Sequence, residues 1–509
     1  MFWGWGEPGA GPSLPEHAAD FLRAALGVTG EVVDRPVSLE EVHLRPPALD
    51  PALRRRLEEI TGAVRDDREA RVLRCRGKSY LDLLAQRAGD CEDAPDAVVA
   101  PADHEQVLAV LQACAEAGVA VVPFGGGTSV VGGLEPLRGP FEALISLDLA
   151  RMDRMLGIDA RSLTATLAPG MRLPEADRAL AAHGLTLAHV PQSYEWATVG
   201  GCVATRSAGQ ASTGRGRIDE NLVAVRCATP LGELATRDVP ASAAGPELRQ
   251  LVAGSEGVLG VITAVTLRVH AVGEERFEGW LLPGFEAGCD ALRELEQAGL
   301  APAVARLSDE EETRTALALP GVGRLAHRVA GDRCLLIVSS SPHRREVAGI
   351  LRAAGARYAT RRPGERWARS RFDGPHLRDD LLDRGVMVET IETATSWSNL
   401  GALHGAVRAA LPGLHVGCHV SHLYPTGASL YFTVLGRREA DAAAQWRAVK
   451  VAASNAIVAA GGTITHHHAV GRDHAPWMAA ELGELGLGVL RALKDRCDPA
   501  GIMNPGKLL

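Results

Sequence analysis

A short apolar run, Val119-Ala120-Val121-Val122-Pro123, leads straight into Phe124-Gly125-Gly126-Gly127-Thr128-Ser129, and this junction narrows the fold more than any other stretch of the chain. An apolar run of this length bounded by turn residues reads as a buried strand. Three glycines in a row leave backbone N–H groups free to converge on an anion, and Thr128 and Ser129 add hydroxyl donors. A diphosphate suits such a nest. The loop is not a Walker A sequence, which needs a Gly-Lys-Ser/Thr ending, nor a GxGxxG turn opening a helix. Taken alone it reads equally well as a plain glycine turn after a strand.

Two later segments tip that balance. Gln192-Ser193-Tyr194-Glu195-Trp196-Ala197-Thr198-Val199-Gly200-Gly201, with Thr205-Arg206-Ser207-Ala208 just after it, follows about seventy residues on, and Gly254-Ser255-Glu256-Gly257-Val258-Leu259-Gly260-Val261-Ile262 about sixty beyond that. In this order and spacing the three segments resemble the FAD-binding domain of the vanillyl-alcohol oxidase superfamily. The resemblance implies a PCMH-type FAD-binding domain whose cofactor contacts come from these loops. Superfamily members that tether FAD do so through a His or Cys near these loops. The Pro123 to Gly133 loop has neither, and Cys202 reads as a small buried hydrophobe, so a non-covalent FAD is expected.

At 509 residues the chain exceeds what one core supports, so several packed units are expected. The fold class is α+β, in four parts: a helical lead-in over 1–90, the PCMH-type FAD-binding domain over 91–275, a cap or substrate domain over 276–455, and a C-terminal segment over 456–509 returning to the flavin. Helical patterns run from Glu16 to Leu26 and from Ala52 to Val64. Ala97 to Ala100 reads as a strand, Asp103 as the N-cap of a helix through Gln112 that Gly118 ends, and the apolar runs Ala143 to Leu147 and Leu163 to Leu167 as further strands of one mixed sheet. A net charge of −8 argues against nucleic acid and for a small-molecule partner. The nine cysteines form no CxxC pair, and there is neither a leader pattern nor a run of 18 apolar residues. These features suggest a cytoplasmic protein, and leave open a peripheral contact at the inner membrane face and a homodimer.

The second half is more specific. Thr463-Ile464-Thr465-His466-His467-His468-Ala469-Val470-Gly471, the earlier Thr426-Gly427-Ala428-Ser429-Leu430-Tyr431-Phe432 and the terminal Asn504-Pro505-Gly506-Lys507 are similar to those of the alkyldihydroxyacetonephosphate synthase family of ether-lipid synthesis. That resemblance implies an exchange of the acyl chain of acyl-dihydroxyacetone phosphate for a long-chain alcohol, through an adduct at flavin N5, without net redox change. Carried over by position, Tyr431 is the acid/base, with His466, His467 and His468 as active-site histidines. Arg378 holds the substrate phosphate, and Arg306 and His189 are further substrate-site residues. The residue types suit the chemistry: a proton must leave a carbon beside a ketone, and a phosphate dianion calls for a guanidinium.

Plainer readings compete. Tyr431 can be a strand aromatic, and Arg378, among Arg371, Arg384 and several aspartates, can belong to a solvated salt-bridge network. No metal is expected, because neighbours on an extended strand face opposite ways and only His466 and His468 could share an ion. A D-lactate-type, FAD-dependent 2-hydroxyacid dehydrogenase is the alternative enzyme, although Ser421-His422-Leu423-Tyr424 lacks the His-x-Gly-Asp-Gly-Asn-x-His pattern of that group. A non-catalytic flavin-binding scaffold is the third reading.

Overall fold

A computed structural model describes residues 1–7, 14, 18–318 and 331–509. The FAD-domain half begins as expected. Asp103 accepts a hydrogen bond from the Gln106 N–H at 2.9 Å, the helix His104–Ala117 follows, and Gly118 ends it at φ 63°. Strands β1 (Val64–Arg65), β2 (Ala97–Val99), β3 (Ala120–Phe124) and β4 (Leu144–Asp148) form one sheet in the order β1-β2-β4-β3. It is mixed: β4 runs parallel to β2 and β3, and β1 antiparallel to β2.

The single mixed sheet expected from the sequence is in fact two sheets. Strands β5 (Met155–Asp159) and β6 (Thr164–Leu167) leave the first and join β8 (Leu222–Thr229), β9 (Gly232–Ala235) and β10 (Val261–Arg268) in an antiparallel sheet ordered β5-β6-β10-β8-β9. Strands β7 (Leu185–Thr186) and β11 (His270–Ala271) pair beside it. The β6 partner lies a hundred residues downstream, which no local pattern announces.

The lead-in also differs from expectation. Its first helix is described over Ala18–Leu26, and Glu16 lies outside the described residues. The second spans Pro51–Thr61 and stops short of Val64, because Gly62 turns the chain at φ 61° and Val64 enters the flavin sheet. Tyr80 and Leu83 are buried in the cap core, and the Trp5 N–H donates to Asp379. The described residues of 1–90 are therefore shared between the two halves rather than a separate unit. The C-terminal segment does return: Met503 bridges Val121, and Ile502 and Met503 are buried in the flavin-domain core.

Among the described residues, the cap holds a seven-stranded antiparallel sheet. It comprises β12 (Phe277–Leu282), β13 (Ala305–Ser308), β14 (Cys334–Ser339), β15 (Arg357–Tyr358), β16 (Val386–Ser396), β17 (His415–Tyr424) and β18 (Gly427–Arg437), ordered β15-β12-β14-β13-β17-β18-β16. Side chains alternate faces along a strand, and the two faces differ in kind. Leu430, Phe432 and Val434 of β18 pack with Leu403 and Trp446 from the helices Leu400–Ala409 and Ala442–Ala459. Tyr431 and Thr433 between them face the opposite way, into a cavity.

Candidate active site

That cavity, about 1510 Å³, lies between the open face of the cap sheet and the three FAD-domain loops. One end is built from backbone. A Cβ on Gly126 would sit 2.1 Å from the Trp196 carbonyl oxygen, and one on Gly125 2.5 Å from Thr198 Oγ1, so the first two loops can press together only with glycine at both positions. Gly127 adopts φ 70°, a conformation that favours glycine. Among the described residues, the N–H groups of Gly126, Gly127, Thr128 and Ser129 make no backbone hydrogen bond. They are free donors on the cavity wall, and they fit a diphosphate.

Of the residues assigned to the cofactor from sequence, Pro123, Gln192, Ser193, Ala197, Gly201 and Thr205 line the cavity. So do Ser207, Ala208, Glu256, Gly257 and the Gly260 to Ile262 strand start. Others do not, and they brace the loops from behind. Phe124 lies under the Arg74 guanidinium at 5.1 Å, and Trp196 under that of Arg172 at 4.8 Å. Tyr194 donates its hydroxyl to Asp177 and stacks on Phe372, while Glu195 turns outward toward His376. Arg206 is spent on the carbonyls of Gln250 and Ala253. Ser255 donates its N–H to the Val252 carbonyl, and Val258 and Leu259 pack with Val470. Cys202 lines the cavity, but burial pushes its thiol up to about 12.

The other end is built from side chains. Tyr431 on β18 stands opposite Glu392 of β16 on one side and His419 of β17 on the other. Its ring stacks on His419 at 4.8 Å between centroids and meets the edge of His468 at 5.4 Å, with His467 at 6.0 Å. Burial pushes its phenol up to about 12, so it is protonated at neutral pH.

The histidine run is not a strand, which overturns the alternation expected for it. The Glu392 carboxylate accepts the backbone N–H groups of His466, His467 and His468, at 2.5, 3.2 and 2.9 Å, and the Thr465 hydroxyl at 2.5 Å. The chain curls around this one carboxylate, which brings the rings of His467 and His468 to the cavity wall. Glu256, from the third FAD loop, accepts the N–H groups of Val470 and Gly471 at 2.8 and 2.7 Å. Residues 465–471 are thus strung between a carboxylate of the cap and a carboxylate of the FAD domain.

The electrostatics of the two anchors differ. Burial alone would raise Glu392, but the neighbouring imidazoles and the Thr465 hydroxyl hold it well below the ordinary carboxylate range. Burial wins at Glu256, which rises to about 7 against two amide donors and the Lys507 charge. The imidazoles are neutral at pH 7, since burial lowers His466 and His467 to about 3 and His468 to about 4. His467 and His468 line the cavity. His466 stands behind them, with Nε2 2.7 Å from the Tyr424 hydroxyl and Nδ1 2.9 Å from that of His467.

Arg378 lines the cavity from the helix Gly374–Asp383. It donates to the Lys78 carbonyl, its buried Nε has no partner, and among the described residues it makes no ion pair, unlike Arg371 and Arg384 beside it. The salt-bridge network thus does not claim it. Arg306 also lines the cavity, but its guanidinium is engaged by Glu312 at 2.9 Å, Ser308 and His419. His189 does not reach the cavity: it is buried behind the second loop, with Nε2 3.1 Å from Ser207 Oγ. Glu392 and Tyr424 escape sequence reasoning, although Glu392 leaves a local trace as an acid inside the β-branched run Thr390-Ile391-Glu392-Thr393. His419 and His422 do stand out in sequence, in the cluster Cys418-His419-Val420-Ser421-His422 that invites a metal, but from sequence alone that cluster is set aside and they carry no site role.

Comparison with known proteins agrees with this architecture. Residues 95–237 match the FAD binding domain family, and 273–508 match the family of FAD linked oxidases, C-terminal domain. An alkyldihydroxyacetonephosphate synthase of Dictyostelium discoideum is 33% identical, over 96% of this chain and 87% of its own length. One of Trypanosoma brucei brucei is 32% identical, over 97% and 87%. A solved alkyldihydroxyacetonephosphate synthase superposes with a TM-score of 0.86 at 30% identity, covering 100% of this chain and 98% of that one. A 4-ethylphenol oxidase from Gulosibacter chungangensis shares the fold, with a TM-score of 0.71 at 16% identity over 91% of this chain and 98% of that one.

Proposed function

Because the chain belongs to the family of alkyldihydroxyacetonephosphate synthase-like FAD-linked oxidases, we propose that it replaces the acyl chain of acyl-dihydroxyacetone phosphate with a long-chain alcohol on a non-covalently held FAD. The observation that carries this reading is the arrangement of Tyr431, His467, His468 and Arg378 around one cavity that the free N–H groups of the glycine loop also face. Bound FAD supplies an electron-poor ring against which a substrate carbon is activated. The residues supply the rest.

Arg378 offers its unpartnered, buried guanidinium nitrogen to the phosphate head. Tyr431, protonated, donates to the ketone oxygen as charge develops there. A neutral imidazole of His467 or His468 takes the proton from the adjacent carbon. The Glu392 carboxylate, 3.5 and 3.9 Å from their Nδ1 atoms, steadies the imidazolium that results. Each positioned acid or base is worth about 10²–10⁴-fold in rate. The cavity also runs past Phe21, Leu22, Leu381 and Leu435, which gives an alkyl chain apolar wall. Its volume exceeds the roughly 300–1,000 Å³ of ordinary ligand pockets, as a flavin plus a lipid chain requires.

The test uses purified, FAD-loaded protein with palmitoyl-dihydroxyacetone phosphate and hexadecanol. Formation of the ether product supports the reading. Bleaching of the flavin by a 2-hydroxyacid without ether formation would establish the dehydrogenase instead, and neither response would leave a flavin-binding scaffold.

A further inference from the structure

We infer that His422, His466 and His467 form a binding site for a divalent transition-metal ion, zinc first, at the base of the cavity. One ligating atom from each of the three residues can be chosen so that all lie within 4.8 Å of one another. The three come from two unrelated segments. A register shift in β17 between Val420 and Leu423 rotates His422 out of strand alternation, and the curl around Glu392 delivers the other two. The His422 ring then lies 5.1 Å from that of His466 and 5.2 Å from that of His467.

Two features suit a metal ion better than they suit packing. His422 is buried with Nδ1 unpartnered, so a lone pair or an N–H points at nothing in the protein. The Glu392 carboxylate sits 3.5 Å from His467 Nδ1, in the supporting position a carboxylate takes behind a metal-bound histidine, and it supplies negative charge to a buried cation. An all-imidazole set selects zinc, copper or nickel over magnesium and calcium. Three protein ligands leave a fourth position open, and His422 and His467 both line the cavity, so that position faces the substrate space. His466 is bonded through both ring nitrogens, to the Tyr424 hydroxyl at 2.7 Å and to His467 Nδ1 at 2.9 Å, so metal uptake replaces one of these two bonds. Metal uptake is independent of the reaction assigned above. That zinc blocks turnover, by taking the lone pair of His467, rests on that reading with His467 rather than His468 as the base.

Binding and activity are therefore measured separately. FAD-loaded protein treated with a chelator is titrated with Co²⁺ and then Zn²⁺, following ligand-field absorption to the red of the flavin bands and the stoichiometry by calorimetry. One Co²⁺ per chain, displaced by Zn²⁺, is expected. His422→Phe and His467→Asn should each weaken uptake by at least about 100-fold, the upper end of what losing a mere supporting group costs. His183→Asn, at an exposed histidine, should change nothing. Flavin absorbance reports folding in every variant, and if His422→Phe loses flavin the decision falls to His467→Asn. The inference is overturned if wild type shows no saturable uptake at one ion per chain, or if a variant that retains flavin binds as wild type does. If Co²⁺ binds but ether formation persists at saturating Zn²⁺, the site stands and the role of His467 as base falls.

Discussion

The two ends of the cavity are made of different material. The end formed by the glycine loops is a surface of main-chain N–H groups, where the side chains matter mostly by their absence: Gly125 and Gly126 exist so that nothing intrudes between two loops. The end formed by Tyr431 and the histidines is a surface of functional groups, each aimed by something behind it, whether a strand register, a bulge or a buried carboxylate. A backbone site is damaged by adding atoms and a side-chain site by removing them, so the two should fail in opposite ways.

The sharpest division is expected at Tyr431→Phe, which deletes one hydroxyl. Turnover should drop about 10²–10⁴-fold while flavin content and melting temperature hold, as read by a product assay beside the flavin spectrum. Full activity would erase the contrast at its strongest point. At the other end, Gly126→Ala inserts a Cβ 2.1 Å from a carbonyl oxygen. Overpacking of ~1–3 kcal/mol should weaken FAD binding about 5- to 150-fold, while the protein that does retain flavin still turns over. Normal FAD affinity would mean that the loops part easily.

Arg378→Ala removes a charge-assisted partner worth ~1.5–3 kcal/mol. It should raise the KM for the phosphorylated substrate about 10- to 100-fold with little change in flavin content. Equal losses of both would make it a brace of the fold.

Glu392→Gln tests how far aiming matters. It should lower kcat about 10-fold, as loss of a supporting group does, with FAD retained. The sign with pH follows from a depressed carboxylate: its stabilising contribution is complete above the ordinary carboxylate range and is lost as pH falls through its lower value in the folded protein. The melting-temperature gap between wild type and Glu392→Gln should thus stay level from about pH 8 to about pH 5 and close only on further acidification. The smallest effect belongs to Cys202→Ala, which should leave the flavin bound and still releasable by acid, because the wild-type thiol is buried and un-ionised. Flavin that stays with wild-type protein after acid precipitation but leaves the variant would overturn the non-covalent reading.

The same contrast explains what could be read from the sequence. Glycine loops are local: Gly125 to Ser129, Thr198 to Gly201 and Gly254 to Gly260 declare themselves within a few residues each, and the helix from Asp103 to Gly118 carries its own start and stop signals. The face around Tyr431 is not local. That Tyr431 meets Glu392 depends on a pairing of β16 with β18, and that His422 reaches His466 depends on an irregularity in β17 that leaves no composition signal. The strand reading of His466 to His468 failed for the same reason: the carboxylate that bends this run lies more than seventy residues earlier. Phe124, Arg206 and Val258 sit in the right motifs, yet serve as their backing, because a motif specifies a turn and not which of its side chains faces inward.

Anchoring residues 465–471 to Glu392 of the cap and to Glu256 of the FAD domain has a consequence for assembly. Neither half holds both ends of this loop, so its hydrogen bonding is complete only after the two halves have docked. A half-assembled chain could already grip its cofactor through the glycine turns while being chemically silent. Competence would then arrive as a late, separate event during maturation, later than the yellow colour that announces the flavin.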